Sequence, residues 1–124
     1  MKACSALLAL ALLALAGCAG PKMTWQQKMD SSAGVEREQA ILEAGQANNR
    51  AAIPQIINRL DDDDVAVRLA AIDALHNMTG KDFGYVAYDD EVKRRAAAAM
   101  WKAWWQSEGS RGAAGSGPLT GGKP

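Results

Sequence analysis

Side chains able to do chemistry are scarce in this sequence. His76 is its one histidine, and Cys4 and Cys18 are its only cysteines. Without a second histidine or an H-x-x-E arrangement, a zinc site has no donor set. Ser31, Ser32, Ser107, Ser110 and Ser116 lie in low-complexity flanks with no base nearby in sequence, so no activated nucleophile is expected. No glycine-rich phosphate loop follows a strand. The run Asp61 to Asp64 lacks the glycine turn and distal glutamate of a calcium loop, and helix capping explains it more simply. The expectation is a protein that is not an enzyme and holds no metal, no cofactor and no small-molecule substrate.

An excess of charge of either sign is missing too. Fourteen Lys and Arg balance fourteen Asp and Glu, so no basic field is present to draw nucleic acid. No stretch alternates apolar and polar residues in the manner of a strand.

A long membrane-spanning run is also absent, although one apolar run is present. Met1-Lys2 supplies a positive start, and Ala3 to Ala16 is almost unbroken Ala and Leu. At about 1.5 Å per helical residue this run reaches about 21 Å, short of the hydrocarbon core at about 30 Å. Gly17, Gly20 and Pro21 end any helix there. A positive start, a short apolar run and small residues at its end are the parts of an export signal, placed at residues 1–17. Cys4 leaves with such a signal, so the mature chain forms no internal disulfide.

Leu15-Ala16-Gly17-Cys18 closes that run and resembles the bacterial lipobox at all four positions. The resemblance implies cleavage before Cys18, a diacylglycerol on its thiol and an acyl chain on the new amino terminus. It implies a lipoprotein of the cell envelope held in a membrane. Ala19 follows where an aspartate would resemble an inner-membrane retention signal, so the expected address is the periplasmic face of the outer membrane in a Gram-negative cell. Two or more acyl chains make such anchoring stable.

Residues 18–34 read as a lipidated tether, in which Trp25 and Met29, four apart, form one helical turn resting on lipid or on the domain. Residues 107–124 are rich in Gly, Ser and Ala and are expected to be a disordered tail.

The remaining residues, 35–106, carry helical periodicity. Ile53, Ile56, Ile57 and Leu60 make one apolar stripe, with Pro54 in the first turn of its helix. After the aspartate run, Val67, Ala71, Ala74, Leu75 and Met78 form one stripe, and Val65, Leu69 and Ile72 a second. A helix apolar over more than half its circumference is expected to be covered on two sides. Arg68 lies between the stripes, and an ion pair with Asp61, Asp62, Asp63 or Asp64 is the expected way to satisfy it, the rival being an arginine that snorkels to water.

Arg37, Arg68 and Arg94 are each followed three residues later by alanine, a recurrence that signals a repeat. The segment "IPQIINRLDDDDVAVRLAAIDAL" resembles one HEAT repeat of the short bacterial kind. That resemblance implies an all-α fold, a short right-handed HEAT-like α-solenoid of about four helices with disordered ends, serving as an interaction surface. The loop bearing Phe83, Tyr85 and Tyr88 and the helix bearing Trp101, Trp104 and Trp105 resemble the ending of some HEAT-like proteins. These aromatics are either a packed cap or an exposed docking patch for a partner.

Together these features lead to the expectation of a non-catalytic interaction or scaffolding module on a membrane, partnered by another envelope protein. Two rivals are a structural subunit of an envelope assembly and an accessory resembling the HEAT-like phycobilin lyases.

Overall fold

The computed structural model describes residues 20–115. Five α-helices follow one another in it: α1 Trp25–Met29, α2 Gly34–Gln46, α3 Ile53–Asn58, α4 Val65–Thr79 and α5 Glu91–Gly115, with 3-10 turns at Arg50–Ala52 and Arg59–Asp61. Among the described residues there is no strand.

The helix ends follow local chemistry. Thr24 and Gln27 form a reciprocal capping box ahead of α1. The Asp64 carboxylate caps α4 by accepting from the Ala66 amide at 2.9 Å. Asn48, at φ 47°, takes the left-handed conformation that closes α2, while the Asn49 amide reaches back to the Ala44 carbonyl at 2.9 Å. Gly80, at φ 67°, does the same after α4.

The core lies where α3 meets α4 and α5 and where α2 lies along α4. Ile53, Ile56, Ile57 and Leu60 are all buried, as are Val67, Ala71, Ala74, Leu75 and Met78. Small residues let α2 approach α4 closely: a side chain on Gly45 would stand only 3.3 Å from the Ala74 Cβ.

Three expectations from the sequence are corrected here. The tether does not extend to residue 34: Thr24 to Asp30 packs on the domain, one of the two settings expected for the Trp25–Met29 turn, with Met29 fully buried and Lys28 and Asp30 paired with Glu43 at 2.8 Å and Arg59 at 3.1 Å. The last helix runs on to Gly115, past the expected boundary at 106. A Glu108–Arg111 pair at 3.2 Å supports that exposed turn, and alanines there favour helix. The second stripe of α4 is not covered: Val65 and Leu69 are exposed and only Ile72 is buried. The reason is that α5 packs on α3 and on the Arg59–Asp61 turn, leaving no helix over that side of α4.

Candidate interaction surface

The lipobox residues Leu15, Ala16, Gly17 and Cys18 lie outside the described residues. Among the described residues, no helix is long and apolar enough to cross a membrane.

The three repeated arginines act alike on the loops before their own helices. Arg37 Nη1 donates to the carbonyls of Ser31 and Ser32 at 2.9 and 3.0 Å. Arg68 Nη1 donates to those of Asp62 and Asp63 at 2.7 and 3.0 Å, and Arg94 Nη1 to that of Asp89 at 2.7 Å. The first two also reach residues further along the chain. Arg37 grips Asp62 at two points, Nε to Oδ2 at 2.9 Å and Nη2 to Oδ1 at 2.8 Å, and Arg68 Nε donates to the Ala87 carbonyl at 3.1 Å. The buried Nε of Arg94 has no hydrogen-bond partner among the described residues.

The expected pairing of Arg68 with a carboxylate is therefore corrected. Its stem folds back over its own loop, where main-chain oxygens are nearest, while the side chains of that loop are engaged elsewhere. Asp61 pairs with Arg95 at 3.6 Å, Asp62 and Asp63 with Arg37, and Asp64 caps α4. Burial by itself would raise the Asp62 carboxyl, but the Arg37 guanidinium and the Asp64 amide outweigh it and hold it below the usual carboxylate range. The same hydrogen bond to Asp62 raises Arg37. The role of Arg37 was missed because its partner lies 25 residues away; the recurrence of arginine was the available signal.

The aromatic residues divide. Trp101 is fully buried, and Phe83 and Trp104 meet its ring edge-on, with centroids 4.8 and 5.7 Å away. Tyr85 is buried and its hydroxyl donates to the Leu60 carbonyl, while burial raises its pKa above the ordinary value. Phe83, Trp104 and Trp105 are half-buried against the same cluster. Trp101 and Tyr85 thus cannot belong to a docking patch, because a ring without exposed area offers nothing to a partner. Of the six, only Tyr88 stands well out, at 72% exposure.

A surface that the sequence did not reveal lies between α2 and α4. A trough of about 450 Å³ is lined by Glu38, Leu42, Ala66, Leu69, Ile72 and Asp73, among others. Leu42 and Leu69 remain 44% and 37% exposed on its two walls. Neither of its two carboxylates forms an ion pair among the described residues. Among the described residues, Glu38 makes no hydrogen bond or ion pair, and Asp73 accepts only from Asn77, at 3.5 Å. Other carboxylates nearby, such as Glu43, Asp61, Asp62 and Asp63, are paired. The clue available in the sequence was the Val65-Leu69 stripe, which pattern alone assigned to a neighbouring helix.

No group of three or more metal-ligating side chains occurs among the described residues. Comparison with family models, with curated proteins and with solved structures returned no match in any of the three.

Proposed function

We propose that the protein is an exported lipoprotein whose helical domain acts as a non-catalytic interaction or scaffolding module at the cell envelope. The observation that carries this reading is Leu15-Ala16-Gly17-Cys18 directly after a positive start and a short apolar run. Cys18 bears diacylglycerol and an acyl chain, and with no aspartate after it the protein's address is the periplasmic face of the outer membrane in a Gram-negative cell. The partner is a protein.

The domain is a short HEAT-like stack on this reading. Supporting it, Arg37, Arg68 and Arg94 recur at corresponding positions, and each turns back to the loop ahead of its own helix. Two of them tie one unit to the next. Such arrays present surfaces to partners rather than chemistry.

Intact-mass analysis of the protein extracted from membranes tests the reading. A mature chain beginning at a lipid-bearing Cys18 is expected, and Cys18→Ser is expected to leave the membrane fraction. Cleavage elsewhere, or an unmodified thiol, overturns it.

A further inference from the structure

We infer that the trough between α2 and α4 receives the outer face of α5 from a second copy of this chain. The inference rests on the reading of the domain as an interaction module and names its partner.

The two surfaces complement one another. The trough has an apolar floor, with Leu42 and Leu69 partly exposed; its titratable lining residues are Glu38, Asp73 and His76, and His76 lies 3.7 Å from the carboxylate of Asp82. Neither carboxylate has a cationic partner within the described residues, so the trough is an apolar surface with uncompensated negative charge. On α5 the opposite pattern stands open to solvent. Val92, Ala96, Ala99, Met100 and Ala103 are all exposed at helical spacing, Val92 by 79% and Met100 by 49%. Lys93, Arg95 and Lys102 flank that stripe; Lys93 pairs with Asp90 and Arg95 with Glu91 and Asp61, whereas Lys102 makes no ion pair among the described residues. An amphipathic helix entering a groove with apolar residues at i, i+4 and i+7 is a recurrent mode of recognition.

Other occupants fit less well. Anionic lipid headgroups are repelled by Glu38 and Asp73. A symmetric pairing of two α5 faces brings Arg95 and Lys102 of one copy against the same cations of the other. The same chain cannot fill its own trough, because the opposite side of α5 is already packed on α3. The contact is head to tail, so it leaves a free trough at one end and a free α5 at the other, and copies add in rows. Anchoring by lipid confines the copies to a surface and raises their effective concentration, which lets a modest interface work.

Cysteine crosslinking in native membranes tests it, since the lipidated chain carries no other free thiol. One chain bears Leu69→Cys, and a co-expressed, differently tagged chain bears Cys at Ala96, Ala99 or Ala103 in turn. A disulfide between the two tags is expected for at least one of the three positions. Glu38→Lys with Asp73→Lys in the first chain should lower its yield about tenfold, and Lys102→Glu with Lys93→Glu in the second should restore it. Asp73, Lys93 and Lys102 are exposed and Glu38 is partly exposed, so the fold is expected to stay intact, which unchanged circular dichroism verifies. No mixed disulfide, a yield unaffected by charge reversal, or crosslinks only between identical positions would each overturn the inference. Mass analysis of Cys18 on the same samples reports separately on the lipoprotein reading, so either can fail alone.

Discussion

Arg37 and Asp62 hold each other through two hydrogen bonds of 2.9 and 2.8 Å while both are almost wholly removed from water. The pair joins the first turn of α2 to the loop before α4, and Asp62 accepts in addition from the Asp64 amide at 3.0 Å and lies 3.4 Å from Arg59. Arg37 meanwhile holds the Ser31 and Ser32 carbonyls, so one guanidinium fastens the entry to α2 and the next loop at once.

Removing one partner leaves the other buried and charged. Asp62→Ala or Arg37→Met should each destabilise the domain by about 3–5 kcal/mol. Arg37→Lys should fail to rescue, because an ammonium cannot reproduce the planar two-point grip. Urea unfolding of the two single variants and the double variant measures the coupling. A loss below about 1 kcal/mol in either single variant contradicts the assigned role.

Acid should weaken the fold through the same residue. The folded-state pKa of Asp62 is depressed, so its stabilisation is fully present above the unfolded carboxyl value of about 3.9 and is lost as pH falls through the lower folded value. Unfolding midpoints followed from pH 7 to pH 2 should fall below about pH 4. Asp62→Asn should remove part of that slope while lowering stability at neutral pH. An acid profile identical in the two proteins contradicts the assignment.

The aromatic cluster separates core from surface. Trp101→Ala should cost about 3–5 kcal/mol, because the ring is fully buried against Phe83 and Trp104. Tyr85→Phe should cost about 1–2 kcal/mol by leaving the buried Leu60 carbonyl without its donor. Tyr88→Ala, at an exposed site, should change stability by no more than about 0.5 kcal/mol. Thermal unfolding ranks the three, and a Tyr88 effect as large as that of Trp101 would reverse the division.

Gly34 stands where the start of α2 meets the cap of α4. A methyl group there would collide with the Asp64 carboxylate that caps α4. Gly34→Ala should therefore displace the cap and cost about 1 kcal/mol, although alanine is the better helix former. Gly34→Ala combined with Asp64→Ala should cost no more than Asp64→Ala alone. Additive losses in that cycle would show that the collision is not the cause.

The sequence by itself determined the elements. Ile53 to Leu60 carried its stripe in its spacing, Pro54 marked a helix start, and Asp64, Asn48 and Gly80 bounded helices through capping chemistry that acts within a few residues. It also carried the recurrence of Arg37, Arg68 and Arg94, and the apolar run ending at Cys18. Only the tertiary structure decided which acceptors those arginines take. Arg68 prefers main-chain oxygens and Arg37 claims the carboxylates, because the fold brings a distant loop beside α2 and turns its side chains away from α4. Tertiary placement likewise sent α5 onto α3, which exposed Val65 and Leu69 and opened the trough beside Leu42. Periodicity states that a face is apolar. Whether another helix covers that face depends on where distant elements come to rest, and local sequence does not encode that distance.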